Sequence, residues 1–474
     1  MKTVFTYTSV LILVLLTQLL WGNESDAPVF RAGAAQTNIT PWLGLSLAGH
    51  MRDRKIARVH DELHAKSVVF DDGTNQLAIV MVDSCMVPRE IFDAAKQRVH
   101  ETTGLPLHHM MMAATHTHTA PCSTPVFQSD SDPHYNQFLT LRIADAVLLA
   151  MENLTPAKVG WGHADLAEEV FNRRWKMKPG SIAVNPFGDS NDQVKMNPPR
   201  GSADLVEPAG PIDPEISILA VQHLDGSPLA LLANYSLHYV GGTGPNETSA
   251  DYFGMFADKV TELIAEDNDA FIAMLSNGTS GNINNIDFRV KRVPQNRYEQ
   301  MSIVADKVAV KVFAAYRRIA FVDGVELEAV QQEMTLGVRL PTADDVFQAE
   351  EIMAAAASPE MNSMQEIYAR ETVLLSQYPS EVKLILQAFR LGEVMIGAIP
   401  CEVFVETGLE LKQTSPSDHT FIIELANGYN GYLPTPEQHA LGGYETWRAR
   451  SSYLEVDASE KITGVMQKLF GQLR

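Results

Sequence analysis

The chain has 474 residues, 45% of them hydrophobic, which is enough apolar mass for a sizeable core and excludes a globally disordered protein. Its 58 acidic residues outnumber 37 basic ones, for a formal net charge of -21. Binding to phosphate backbones needs a basic face, so nucleic acid is not expected as a partner, and the scattered carboxylates read as a solvated surface.

The N-terminus sets Met1-Lys2 before an apolar stretch over 10–20, then Trp21-Gly22 and the polar Asn23-Glu24-Ser25. That is the layout of a secretory signal peptide, shorter than the roughly 20 residues a spanning helix needs. The expectation is a leader over 1–22, cleavage near Gly22, and a secreted or periplasmic protein with no transmembrane segment in the mature chain. Residues 30–34 read as a strand. Residues 63–70 and 76–82 form a hairpin across Asp71-Asp72-Gly73-Thr74. Residues 88–103 have helical spacing, with Ile91, Ala94, Ala95 and Val99 on one face and Gly104 as the stop. Residues 110–114 form a short apolar run that ends at Thr115.

A second helix is predicted over 138–151, and strand with turn over 160–173. Residues 175–212 are rich in Pro, Gly, Asn and Asp and read as one long loop, a type that in compact domains is usually functional or mobile. A second hairpin turns at Asp225-Gly226. Helix, strand and a Gly/Asn-rich loop follow over 252–266, 271–276 and 277–285, then a helix over 300–320. Two helices over 343–379 read as a structural arm. A third hairpin turns at Gly392-Glu393, a strand covers 421–426, and 427–445 is a Gly/Tyr-rich loop. Hairpins alternate with helices throughout and no repeat or clean linker is visible. The fold class is therefore α/β, mixed α+β, with one large domain over 30–474 built on mixed β-sheets flanked by helices. The repeated hairpins argue against a regular barrel of eight strand–helix units.

The strongest chemical signal is Ala114-Thr115-His116-Thr117-His118-Thr119. Histidines at i and i+2 leave a strand on the same side, and neutral imidazole is a common zinc ligand. They can share one metal, or one can face the metal and the other the substrate. His238 closes the strand that begins at Leu231, and Glu402 follows Ile399-Pro400-Cys401 at another strand end. Taken singly, each reads as readily as a hydrogen-bonded core group. Tyr429, Tyr432 and Tyr444 read as packing residues by default, and Arg173 as a partner of a surface carboxylate. The three cysteines, Cys85, Cys122 and Cys401, are too few and odd in number for a disulfide framework.

Read in order, these segments resemble the neutral, non-lysosomal ceramidases over roughly residues 30 to 450. The resemblance is carried by Ile39-Thr40-Pro41, Val59-His60-Asp61-Glu62-Leu63, the Thr-His-Thr-His stretch, Asn172-Arg173 and the 234–238 strand end. It continues through Ser249-Ala250-Asp251-Tyr252, the loop at Gly281, Ile399-Pro400-Cys401-Glu402, Tyr429-Asn430-Gly431-Tyr432 and Gly443-Tyr444-Glu445. The resemblance implies zinc held by His116, His238, Glu402 and Tyr432, with His118, Arg173 and Tyr444 around the scissile bond. It also implies a departure. The family's catalytic Ser falls on Asn284, whose amide is no comparable nucleophile, so a metal-activated water would attack and Asn284 would donate to the carbonyl oxygen. The implied function is an exported zinc hydrolase cleaving an amide or ester of a small-molecule, lipid or glycan substrate. The alternatives are a carbohydrate-active enzyme on the same fold and an inactive metal- or ligand-binding homologue. Because Cys122 and Cys401 neighbour His118 and Glu402, a bridge between them is a further expectation.

Overall fold

The structure, a computed structural model, describes residues 29–266, 268 and 270–473. The leader expected over 1–22 lies outside the described residues. No described helix is long and apolar enough to cross a membrane.

Two sheets dominate. The larger has eight strands: β1 (Arg31–Asn38), β2 (His64–Asp71), β3 (Gln76–Val82), β4 (Met110–Ala114), β5 (Thr155–Asp165), β6 (Glu215–His223), β7 (Pro228–Tyr235) and β8 (Ile272–Asn277). Their order across the sheet is β8-β7-β6-β5-β1-β2-β3-β4. The smaller sheet contains β9 (Leu327–Gly337), β10 (Glu381–Leu391), β11 (Val394–Ile399) and β12 (His419–Glu424), in that order. Among the described residues, nine helices cover the sheets or connect them: α1 (Arg89–Thr103), α2 (Pro133–Glu152), α3 (Asp251–Ala265), α4 (Glu299–Tyr316), α5 (Ala343–Ala354), α6 (Met364–Leu375), α7 (Val405–Thr414), α8 (Pro436–Leu441) and α9 (Ala458–Gln472).

Strand alternation explains the layering. In β3, Leu77, Ile79 and Met81 face one way and meet Phe389, Ile396 and Ile423 of the smaller sheet. Ala78, Val80 and Val82 face the other way, against Phe92 of α1 and Leu139 and Ile143 of α2. A strand apolar on both faces needs two covers, and here it has a sheet and a helix layer. Farther along, Leu231 and Ala233 of β7 pack on Phe256 of α3 and Val308 of α4. The outer face of the smaller sheet, with Leu384, Leu386 and Ile422, is covered by Ile462, Met466 and Phe470 of α9. The result is helix, sheet, sheet, helix. Gly33 allows the closest of these contacts, since a Cβ there would sit 2.2 Å from the carbonyl oxygen of Ala150 in α2.

The three expected hairpins are present and α1 ends as expected at Gly104, in the left-handed conformation. Helix α2 starts five residues before the predicted 138, because Asp132 caps the amides of His134 and Tyr135 and Pro133 stands at the first helical position. The stretch read as one loop over 175–212 holds a small antiparallel sheet of Arg174–Met177, Val194–Met196 and Leu205–Pro208. Strands of three or four residues are too short to show a period of two.

Each sheet has parallel pairs, β3 with β4, β7 with β8 and β11 with β12. An Ala113–Ala426 bridge brings the exits of β4 and β12 together across the two sheets. The site is built from these exits. Because the inter-sheet layer is the common core, Ile396→Ala is expected to cost about 2–5 kcal/mol. A urea midpoint shifted by far less than that would show that this layer is not where the stability resides.

Candidate metal centre

The chain leaves β4 through Thr115, whose amide donates to Val82, and His116, whose amide donates to Ser84. His116 has φ 72, a left-handed backbone costly for a non-glycine residue and typical of functional strain. The next residues alternate in purpose. Thr117 and Thr119 both donate their hydroxyls to the Ser249 carbonyl, at 2.7 and 2.9 Å, and so bolt the loop down. The imidazoles between them are left for other work.

His238 lies just beyond β7. The segment that carries it is held from two sides by the start of α3. The Tyr252 hydroxyl donates to Leu237 at 2.9 Å, and the buried Asp251 carboxylate accepts from Val240 and Gly241, each at 2.9 Å. Glu402 follows β11 and pairs in parallel with Tyr432, so the two are neighbours by backbone register.

These groups converge. His116 Nε2 lies 3.0 Å from His238 Nε2, 3.1 Å from His118 Nε2 and 3.3 Å from Glu402 Oε2. Each imidazole spends its other nitrogen on a backbone carbonyl: His116 on Cys85 at 2.6 Å, His238 on Ser280 at 3.1 Å, His118 on Gly49 at 3.1 Å. A carbonyl only accepts, so every Nδ1 carries the proton and every Nε2 presents a lone pair inward. Glu402 Oε2 is buried with no hydrogen-bond partner. Burial first, then Arg173 and the neighbouring histidines, holds His238 well below the usual imidazole range. Burial, then His116, His50 and Arg173, does the same to His118.

His116 goes the other way: burial opposes its charge, but Cys85 and Glu402 push it well above the usual imidazole range. Donors at these spacings fit a cation. Ligands about 2.0–2.1 Å from a tetrahedral zinc stand about 3.3 Å apart. His116, His238 and Glu402 offer one ligand atom each within 4.8 Å of one another, all fully buried. A second grouping adds Cys85 to His116 and His118. It is the weaker one: the thiol faces His116 Nδ1 at 3.8 Å, the nitrogen already bonded to the Cys85 carbonyl, and burial pushes the thiol up.

No protein-family model matches the chain. Among solved structures it is similar to a neutral ceramidase from Pseudomonas aeruginosa, with a TM-score of 0.70 and 17% identity, covering 94% of this chain and 75% of that one. It is also similar to a ceramidase complexed with C2, with a TM-score of 0.67 and 17% identity, covering 93% and 74%. The fold is that of the neutral ceramidases.

Around the candidate metal cluster of this ceramidase-like fold, the sequence-predicted residues fall into different positions. Arg173 is buried, and its Nη2 donates to the Tyr432 hydroxyl at 3.1 Å and to the Gly281 carbonyl at 2.8 Å. Its Nε meets Glu445 at 3.0 Å, and Arg174 takes the other Glu445 oxygen at 2.7 Å. Tyr444 packs edge-on against Tyr432, with centroids 5.8 Å apart. It also lines a largely apolar cavity of about 710 Å³ with Met51, Val184, Val194, Met196 and Trp447. The segment read as a long loop supplies one wall of that cavity. Asn284 is elsewhere engaged, donating to Asn197 at 2.6 Å and accepting from the Ile286 amide at 3.0 Å.

Sequence reasoning passed over several neighbours. The Tyr429 hydroxyl donates to the other Glu402 oxygen at 3.2 Å. Tyr239 stacks on His118 with centroids 3.7 Å apart. Ser280 donates to Glu424 at 2.6 Å, and burial pushes that carboxyl up to about 8. Only Tyr429 stood in a motif that flagged it. The other three gain their place from backbone geometry.

The bridge expected between Cys122 and Cys401 is absent, since all three cysteines are free and buried. Cys122 belongs to the apolar cluster with Met86, Phe127 and Tyr368, and its thiol donates to Thr124. Cys401 belongs to a separate cluster with Leu411 and Leu433. Alkylation of the denatured, unreduced protein should therefore add three labels by intact mass.

Gly281 tests the cluster's support. A Cβ there would lie 2.6 Å from the Glu402 carbonyl oxygen, so the backbone carrying Glu402 must shift. Gly281→Ala is expected to weaken metal binding by about 10–100-fold, the range seen when ligand support is disturbed. Titration against a metal-buffered chelator measures this, and unchanged affinity would show that the Glu402 backbone is not held by that contact.

Proposed function

We propose that the protein is an exported, zinc-dependent hydrolase that cleaves an N-acyl or O-acyl bond with water. The observation that carries this reading is the convergence of three Nε2 lone pairs and an orphaned carboxylate oxygen, each imidazole fixed through Nδ1. The N/O donor set suits zinc, with His116, His238 and Glu402 as ligands and Tyr432 joining from beside Glu402. The ceramidase architecture of the structural neighbours supports an acyl-bond hydrolase, and the apolar stretch over 10–20 supports export.

When bound, zinc supplies Lewis acidity toward a carbonyl and toward water at neutral pH. The chain supplies the rest. His118 Nε2 receives the proton of the attacking water, its ring held by Gly49 on one edge and Tyr239 on one face. Arg173 holds the Tyr432 hydroxyl in place. The apolar cavity beside Tyr444 takes the acyl chain and excludes water from it. Ser280 is not a substitute nucleophile, because its hydroxyl stands 3.3 Å from His238 Nδ1, on the outer edge of the ring, and is bound to Glu424.

The test combines metal content with turnover on acyl amides, acyl esters and acylated sugars. Wild-type protein should hold zinc, and His116→Ala, His238→Ala and Glu402→Gln should lose it. His118→Ala should keep zinc while kcat falls by about 10²–10⁴-fold. A protein without zinc, or one whose metal content ignores His116→Ala, sinks the proposal. Zinc without turnover on any acyl substrate would make it a binding protein.

A further inference from the structure

A second cavity, of about 690 Å³, is lined in part by residues that follow cluster residues directly in sequence. Val240 and Gly241 in its wall follow His238 and Tyr239 directly, and Asn197 in its wall holds the Asn284 side chain. One short stretch borders both cavities: Val194 and Met196 line the apolar one, Asn197 and Pro198 the second.

Its chemistry differs from that of the first cavity. Two guanidinium groups, Arg200 and Arg292, stand in the lining with the amides of Asn285, Gln295 and Gln300. Among the described residues no carboxylate lines it, in a chain where acidic residues outnumber basic ones by 58 to 37. Nearby cations are occupied: Arg289 pairs with Asp287 at 2.8 Å and Arg297 reaches Glu247 at 3.9 Å. Arg200 spends only its Nε, on the Val290 carbonyl at 3.3 Å. Its other N–H groups make no hydrogen bond among the described residues, although Asp287, already held by Arg289, lies within electrostatic reach. Guanidinium groups beside neutral amide donors are the usual means of holding a planar or tetrahedral oxyanion. On a protein of net charge -21, an anion needs such local cations to approach at all.

We propose that this cavity binds the anionic group of the substrate, so that the substrates are acidic amphiphiles. The acyl chain lies in the apolar cavity, the scissile bond at the metal cluster, and a sulfonate, phosphate or carboxylate between Arg200 and Arg292. This rests on the acyl-hydrolase reading above and adds the class of the leaving portion.

Calorimetric binding of two probes to the zinc-loaded full chain tests it: N-lauroyltaurine, whose sulfonate is a poor zinc ligand, and N-lauroylethanolamine, with the same acyl chain and a neutral head. The taurine conjugate is expected to bind at least about fivefold tighter, the scale of a partly exposed charge pair. The preference should disappear in Arg200→Gln/Arg292→Gln and shrink in about 0.5 M salt, while binding of the neutral probe stays unchanged. Equal affinity for both probes, a preference that survives the double substitution, or no binding of either overturns the proposal. Hydrolysis of both probes is followed in parallel. Preference without hydrolysis keeps the anion site and removes the hydrolase reading, whereas hydrolysis without preference does the reverse.

Discussion

Three imidazole lone pairs and a carboxylate oxygen aimed at one another in a buried space repel, and much of the surrounding structure serves to hold them there. The cost of an unpaired buried acceptor is about 1–3 kcal/mol, and more when it is charged. Glu402 Oε2 is in that position, the three Nε2 atoms meet only one another and that oxygen, and no rotation relieves them, because each Nδ1 is tied to a backbone carbonyl. A cation at the centre would relieve this crowding, so metal affinity and the stability of this end of the fold would be coupled.

The sandwich supplies the holding force. His116 and His238 come from exits of the larger sheet and Glu402 from an exit of the smaller one, so the cluster is assembled only when the two sheets are packed. Polar links reinforce the seam. Asn234 of β7 donates to the Ile422 carbonyl of β12 at 3.1 Å. Glu424, at the end of β12, accepts from Ser280 beyond β8 and from the Val403 amide beside Glu402. One buried carboxylate thus ties the support of His238 to that of Glu402.

Much of this frame was legible in the sequence because it rests on patterns of period two and on punctuation. The hairpins at Asp71-Asp72-Gly73 and Asp225-Gly226 and the Gly104 stop are of that kind. Strand β9 was not legible. Its residues Gln331, Gln332 and Glu333 are polar because it is the edge of its sheet, and a search for apolar runs passes over it. At the site, the His-x-His pair announced a metal, yet the two histidines could not be told apart. Their spacing is the same whether His118 faces the cluster or the substrate, and the left-handed turn at His116 that brings both Nε2 atoms together leaves no mark in residue type. The motif Ser249-Ala250-Asp251-Tyr252 was visible but mute. Its meaning lies in a carboxylate that accepts the Val240 and Gly241 amides, which follow His238 and Tyr239, a contact that residue type does not announce.

The adjacent arginines show how the site would hold a fourth ligand. A tyrosine coordinates metal as phenolate, and burial first, then Glu402, pushes the Tyr432 hydroxyl well above its ordinary range. Arg173 is the group that works in the opposite direction, donating to that oxygen at 3.1 Å with its guanidinium 5.5 Å from the ring centre. A lone buried arginine would be costly, and Glu445 relieves the cost by bridging Arg173 and Arg174. Glu445 and Glu402 both face Arg173, and Glu406 lies within electrostatic reach of Arg174, so the two guanidinium groups are balanced by carboxylates. Arg174 touches none of the proposed ligands, and its link to the cluster runs through Glu445, which it shares with Arg173.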